Sequence, residues 1–242
     1  MKKIITIIII SSLAHYTFAQ EEEEKKEKQT TFAVNFIHNS VAGFSPIFLA
    51  TKELKENLNL TFYSIFWTNP TFGTIGNGGD LLLETGIGLG FKLLDNKLYV
   101  NPTLGIAHGK FLSGGDQTLI AEGLVPNIFA IYNNDWFEFE TYLAYYAATR
   151  KGGPTTKDFL LNWIAPGIKV NQSFSLGGYY EKFALTKITD PEVDPFDVYE
   201  WLGGYAKVSF DEGKFIRLAM GTNLSEDGIG DDFYKISVFL PL

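Results

Sequence analysis

The chain has 242 residues, of which 45% are hydrophobic and 15% aromatic, and it contains no cysteine. Its formal net charge of -8 at pH 7 argues against nucleic-acid binding, which relies on basic patches. The absence of cysteine excludes disulfides, thiolate metal sites and a lipid-modified N-terminal cysteine.

The N-terminal segment has the features of an export signal. A cationic start at residues 1–3 precedes an apolar run at 4–13 and then Thr17-Phe18-Ala19, which predicts a signal peptide over residues 1–19. The apolar run is shorter than the roughly 20 residues that cross a bilayer as a helix. Residues 20–29 contain the block EEEEKKEK and are interpreted as a charged N-terminal linker. The folded domain is therefore predicted to span residues 30–242.

Beyond this linker, short polar turns alternate with longer polar segments, and the residues between them are rich in aromatic and aliphatic side chains. One strand and its connection take about 17 residues, which fits tilted membrane spans of about 9–11 residues plus turns. The alternation places all short turns at one end of an up-and-down sheet. It predicts twelve strands, at residues 31–39, 44–50, 58–67, 81–93, 97–109, 120–132, 136–148, 159–170, 174–186, 198–210, 215–223 and 233–240.

Several predicted strands have one apolar face and one face of small or polar residues. In residues 81–92, Leu83 and Ile87 share the apolar face, and Gly86, Gly88 and Gly90 lie on the other. These glycines do not match the dinucleotide-binding fingerprint, because the third comes one residue too early and no helix follows. The stretch is therefore interpreted as a strand with a small inner face.

Alternation alone does not say which face points inward, because soluble and membrane barrels have the same pattern turned inside out. Here the non-apolar face is mostly Gly, Ala, Tyr, Asn and Thr, which suits a hydrated lumen better than a solvated exterior. Aromatic residues near strand ends are predicted to form girdles at the two membrane interfaces, with packing inside a sandwich as the alternative: Trp67, Phe72, Trp136, Phe137, Tyr145, Tyr146, Phe159, Trp163, Phe174, Tyr199 and Trp201.

From residue 31 to the end, the chain resembles the outer-membrane β-barrels of Gram-negative bacteria. The resemblance rests on the signal ending TFA before Gln20, on the alternating connections and on the last strand FYKISVFLPL. Barrels of that class usually end on an aromatic residue, whereas this chain ends on Leu242. The resemblance implies an all-β, up-and-down antiparallel transmembrane β-barrel of about 12 strands in the outer membrane, with periplasmic termini. It also implies contacts with outer-membrane lipid and lipopolysaccharide, and folding by the barrel-assembly machinery.

Charged residues on the predicted inner faces are candidates for lining the lumen, where they would either hold the barrel closed in pairs or line a solute path. They are Glu84, Lys92, Glu138, Glu140, Lys169, Lys207, Arg217 and Lys235. Glu181 and Lys182 are adjacent, so one of them must face outward, lie near the interface or mark a bulge. Pro46, Pro102, Pro126 and Pro166 fall within predicted strands and are interpreted as bulge positions.

Two of the long connections are acidic, with Asp190, Glu192, Asp194 and Asp197 in one and Glu226, Asp227, Asp231 and Asp232 in the other. They could favour cationic solutes or bind divalent cations, but neither has EF-hand spacing, and solvated loops are the simpler interpretation. No metal site or cofactor is predicted.

The leading hypothesis is a passive, porin-like pore for small solutes, without catalysis. The first alternative is a closed barrel with a structural or surface-interaction role. A weaker alternative is an outer-membrane hydrolase that uses His38 and Ser40, or His108, because outer-membrane phospholipases have a His and a Ser two residues apart. That family continues with Asn-Gly, whereas Val41-Ala42-Gly43 follows here, and no third group that would orient the histidine can be identified.

Overall fold

The computed structural model describes residues 28–68, 82–226 and 228–242. Twelve strands form one closed antiparallel barrel, in which each strand pairs with its neighbours in the chain and the last strand pairs with the first. The strands are β1 (Thr30–Asn39), β2 (Gly43–Lys55), β3 (Leu58–Trp67), β4 (Leu82–Leu93), β5 (Leu98–Gly109), β6 (Leu119–Asn133), β7 (Phe137–Ala148), β8 (Lys157–Lys169), β9 (Phe174–Ile188), β10 (Phe196–Ser209), β11 (Phe215–Asn223) and β12 (Asp232–Pro241). This confirms the predicted all-β, twelve-stranded class. The predicted signal peptide and most of the charged linker lie outside the described residues.

The two ends of the barrel differ in their connections. Short turns join β2 to β3, β4 to β5, β6 to β7, β8 to β9 and β10 to β11, and both ends of the barrel chain lie on this side, here called the turn end. The opposite side, the loop end, carries the longer connections and also the three-residue turn 40–42 between β1 and β2. Several strands extend into the predicted connections. For example, β2 continues to Lys55 and β10 already includes Asp197.

The outer surface of the barrel is apolar. Phe48, Ile87, Leu104, Leu143 and Leu202 are each exposed by more than 40%, although they lie in the middle of strands. Water would penalise such a surface, whereas the hydrocarbon of a bilayer matches it. Within the described residues, no helix is long and apolar enough to cross a membrane.

The four strand prolines do not sit at the bulges that the sequence predicted. The register shifts lie at other positions, between Asp197 and Tyr199 for example. At Pro102 and Pro166 a few pairs are missing from one neighbouring ladder, but the register is the same on both sides of the gap. A proline lacks the N–H that the ladder needs, so each costs local hydrogen bonds without displacing the strand.

Candidate lumen site

A large cavity occupies the turn-end half of the barrel. Its volume is about 890 Å³, and Thr31, Gly213 and Pro241 line it at the turn end. Towards the loop end it is bounded by Tyr63 and Trp67 on β3. A cavity of this size is within the range that accommodates small-molecule ligands, about 300–1,000 Å³.

One wall of the cavity carries ion pairs that cross the lumen. Arg217 on β11 donates to Glu140 on β7 at 2.8 Å, although three strands separate β7 from β11. Lys207 on β10 pairs in the same way with Glu138 on β7, which also accepts from the Tyr205 hydroxyl. These pairs therefore connect strands that do not share a ladder.

A third pair joins the last strand to β9. Lys235 donates to Glu181 at 2.5 Å, and Glu181 also accepts from the hydroxyls of Tyr179 and Tyr199. Its neighbour Lys182 points to the other face and pairs with Asp197 at 2.6 Å and with Glu200 at 3.3 Å. The adjacent charges are thus accommodated without a bulge at that point, with Glu181 inside and Lys182 outside.

The other wall carries a chain of neutral hydrogen bonds that ends on a carboxylate. Thr103 donates to Asn127 at 2.5 Å, Asn127 donates to the Tyr63 hydroxyl at 2.8 Å, and Tyr63 donates to Glu84 at 2.7 Å. Glu84 is completely buried and also accepts from Tyr146 at 3.1 Å and from the Trp67 indole at 3.4 Å. Among the described residues, no basic side chain forms an ion pair with Glu84.

Stacked aromatic rings fill the loop-end half of the lumen. This aromatic plug consists of Phe111, Tyr146, Phe159, Phe183, Tyr199, Trp201 and Phe233. Its rings contact one another, with centroid distances of 4.9 Å between Phe159 and Phe183 and 4.7 Å between Trp201 and Phe233. A void of about 20 Å³ remains between Trp67, Tyr146 and their neighbours, room for about one water molecule.

The connection 110–118 folds into the barrel beside this plug and is here called the lid loop. The Phe111 ring stacks on Phe159 at 4.7 Å, and Leu112 and Ser113 are completely buried. The Glu122 carboxylate holds the loop there. It accepts from the backbone N–H of Phe111 at 3.2 Å, from those of Leu112 and Ser113 at 2.9 Å each, and from the Ser113 hydroxyl at 2.9 Å.

The lid loop is also hydrogen-bonded to the next loop-end connection, residues 149–156. The Ser113 carbonyl accepts from the backbone N–H groups of Gly152 and Gly153, at 2.9 and 3.2 Å. The two backbones are so close that a side chain at Gly115 or Gly153 would collide with the opposite chain. Only glycine permits this approach, and the two loops together cover the plug.

The other predicted site residues do not belong to the ion pairs across the lumen or to the hydrogen-bond chain of Glu84. Lys169 donates to the carbonyl of Asn134 at 2.6 Å near the turn end, and Lys92 has the inward parity of Gly90 but does not line the cavity. Of the acidic positions, Asp197 and Asp232 belong to strands rather than loops, and Asp227 lies outside the described residues. Within the described residues, no group of three or more His, Asp or Glu is arranged to hold a metal ion.

The prediction of aromatic girdles is wrong for much of the set. Tyr146, Phe159, Tyr199 and Trp201 are at most 5% exposed and belong to the plug. Trp67 and Trp163 also line the lumen. Trp136 and Tyr145 do face outward, and Phe72 lies outside the described residues. The rings point inward because the lumen of a twelve-stranded barrel needs large side chains to be filled at one end.

Sequence reasoning missed Glu122, the residue that holds the lid loop. Strict alternation places it on the outer face of β6. In the structure Ala121 has a left-handed backbone with φ of 53°, and the pairing of β5 with β6 shifts after Ala107, so Glu122 and Gly123 are both buried. A bulge of this kind leaves no period-two signal by which it could be found.

The two described histidines, His38 and His108, lie in different surroundings. His38 is exposed, stacks on Tyr234 and lies 3.2 Å from that hydroxyl through Nδ1. Ser40 bonds through its backbone N–H to the carbonyl of Tyr234. The ring of His108 accepts from the backbone N–H of Ala121 at 3.2 Å and so supports the bulge in β6.

A closed barrel with an apolar exterior and a polar cavity is the fold of outer-membrane β-barrel channels. The COG4313 outer membrane channel from Pseudomonas putida F1 has this fold, with a TM-score of 0.58 and 11% identity over 92% of this chain and 100% of that chain. The KdgM porin in complex with disordered oligogalacturonate has a TM-score of 0.49 and 10% identity over 86% of this chain and 97% of that one.

By sequence, the chain belongs to DUF6733, a family of unknown function whose model matches residues 1–242. Among curated proteins, no sequence matches it. A loop-deletion mutant of OmpT, an outer membrane protein of Vibrio cholerae, has a TM-score of 0.42 and 11% identity over 88% of this chain and 98% of that chain. At 11% identity, the likeness to the COG4313 channel shows the fold alone and does not transfer a solute.

Proposed function

We propose that the protein is an outer-membrane channel for small solutes, and that the lid loop and the aromatic plug hold it closed in this conformation. The observation that carries the proposal is the cavity of about 890 Å³, which occupies the lumen from the turn end as far as Trp67. A barrel that served only as a scaffold would have no need of an interior cavity of this size.

Shared side chains support a path from the cavity into the small void. The cavity is bounded by Tyr63 and Trp67, both of which bond to Glu84, and the small void beyond is lined by Trp67 and Tyr146. Solutes would therefore pass from the cavity to Glu84 and then beneath the lid loop. Opening requires that the loop leave the Glu122 carboxylate and that the Phe111 ring leave its stack on Phe159.

In this proposal the chain is exported by its signal peptide and inserted by the barrel-assembly machinery, with its termini in the periplasm. The apolar outer surface contacts outer-membrane lipid, and the loop end contacts lipopolysaccharide. The proposal assigns no catalytic role to the two described histidines: His38 lies beside the Tyr234 hydroxyl, and His108 bonds to the backbone N–H of Ala121 and lies 3.4 Å from the Thr85 hydroxyl.

The second candidate is a closed barrel with a structural or surface-interaction role. The specific observation in its favour is the aromatic plug, whose rings are packed at distances typical of a protein core. The ion pairs across the lumen are also compatible with it, because they connect non-adjacent strands.

Conductance in planar bilayers separates the two candidates. The folded barrel, recognised by a difference in gel migration between unheated and boiled samples, is expected to show rare channel openings from a closed baseline. The boiled sample is the control. If the folded wild type and the lid-loosened variant Glu122→Ala both show no openings, the channel is rejected in favour of the closed barrel.

A further inference from the structure

Among the described acidic groups that face the cavity or its boundary, Glu84 forms no ion pair. Glu138, Glu140 and Glu181 each pair with a lysine or arginine. The Glu122 carboxylate accepts four hydrogen bonds from the lid loop. Glu84 accepts three hydrogen bonds from neutral side chains, which orient its carboxyl group, and none of the three donors carries a positive charge.

Glu84 lies beside the proposed solute path. Two of its donors, Tyr63 and Trp67, line the large cavity, and Trp67 and Tyr146 line the void beneath the lid loop. A solute that moves from the cavity into this void passes these side chains. Aromatic faces beside a carboxylate form a favourable site for a cation, and a poor one for an anion.

The loop end adds a second, independent bias of the same sign. The described parts of the loop-end connections hold six acidic and three basic residues. The acidic ones are Asp116, Asp190, Glu192, Asp194, Glu226 and Asp231, and the basic ones are Lys110, Arg150 and Lys151. An acidic entrance raises the local concentration of cations and lowers that of anions.

From these observations we propose that the channel selects cationic solutes, and that Glu84 is the residue that holds a cation at the junction between the cavity and the plug. This inference rests on the proposed channel function. It assigns to Glu84 the role of specificity determinant, and it assigns to the three ion pairs across the lumen no part in charge selection.

The test is the reversal potential of single channels in a gradient of potassium chloride across the bilayer. The wild type is expected to pass potassium in preference to chloride, and Glu84→Gln is expected to reduce the permeability ratio by roughly threefold to tenfold, the usual effect of one charge at a pore constriction. Glu84→Asp keeps the charge and should keep the preference. Glu56→Gln, in the exposed turn between β2 and β3, removes the same charge far from the lumen and serves as the matched control.

A second variant covers the case in which Glu84→Gln does not fold. Asn127→Lys places an ammonium group beside Tyr63, the neighbour of Glu84, and should lower the preference for potassium to a similar extent. Openings without a preference for potassium, or a preference unchanged in folded Glu84→Gln or Asn127→Lys, overturn the inference and leave the channel intact. No openings in either the wild type or Glu122→Ala overturn the channel, and the inference with it.

Discussion

Gly86 on β4 and Gly105 on β5 make room for the side chain of Tyr63. A Cβ atom at Gly86 would collide with the ring of Tyr63, and one at Gly105 on the adjacent strand would collide with its hydroxyl. The ring therefore lies flat against β4 and β5, and its hydroxyl reaches Glu84. The glycine-rich stretch of β4 therefore provides space for Tyr63, the tyrosine that orients the buried Glu84 side chain.

Gly86→Val is expected to displace this ring and to destabilise the barrel by about 1–3 kcal/mol, the usual cost of overpacking. The matched control is Gly178→Val on the outer face of β9, where an added Cβ would meet only Pro166 at 3.8 Å. The measurement is the temperature at which the unheated form is lost on a detergent gel. Equal losses in the two variants would contradict the packing of Tyr63 against Gly86.

Glu122 determines the position of the lid loop through four hydrogen bonds to one carboxylate. Glu122→Ala leaves three buried backbone N–H groups without that acceptor, and we expect the closed state to lose about 2–4 kcal/mol relative to the open one. Openings in planar bilayers should become much more frequent. Glu192→Ala, which removes an exposed carboxylate from another loop-end connection, should leave their frequency unchanged. A frequency in Glu122→Ala no higher than in this control would show that Glu122 does not hold the lid.

At the level of strands, period-two alternation predicted the barrel correctly wherever the strands are regular. In β4 it placed Glu84 inside and Ile87 outside, as the structure has them. It failed at β6, where the left-handed Ala121 reverses the parity and turns Glu122 inward. It also could not identify the partner of each charge, because Arg217 and Glu140 meet across the lumen and not along a ladder.

The ion pairs across the lumen should couple strands that do not pair. Arg217→Met alone leaves Glu140 in the lumen without its partner, and Glu140→Gln alone does the same to Arg217, so each should cost about 3–5 kcal/mol in unfolding free energy. The double variant should cost much less than the sum of the two. Unfolding by urea in lipid vesicles measures all three values.

Additive costs in that cycle would mean that Arg217 and Glu140 do not interact. Lys214 and Glu212 supply a comparison, because this pair lies in an exposed turn between β10 and β11. The same cycle there should give costs that are nearly additive, as for other solvated pairs.

For the whole molecule, the two halves of the lumen have different contents. The turn-end half holds the cavity and its ion pairs, and the loop-end half holds the aromatic plug under the lid loop. The sequence predicted the apolar exterior and the inward charges, but not the plug. Aromatic residues near a strand end are compatible with an interfacial girdle and equally with a plug in the lumen. Only the three-dimensional structure shows whether each ring faces the lumen or the membrane.

The central claim is that movement of the lid loop opens the barrel, and a reversible cross-link tests it most directly. A Cβ atom at Gly152 would lie 3.5 Å from that of Ser113, within the spacing of a disulfide, and the chain has no other cysteine to interfere. In Ser113→Cys/Gly152→Cys the disulfide should therefore tie the lid loop to the neighbouring loop in the closed position.

We expect the oxidised double variant to show no openings in planar bilayers, and the same bilayer to show openings after a reducing agent is added. Each single-cysteine variant should conduct before and after reduction. If the double variant, cross-linked according to its mass, conducts equally in the oxidised and the reduced state, the lid loop is not the gate and the account is wrong.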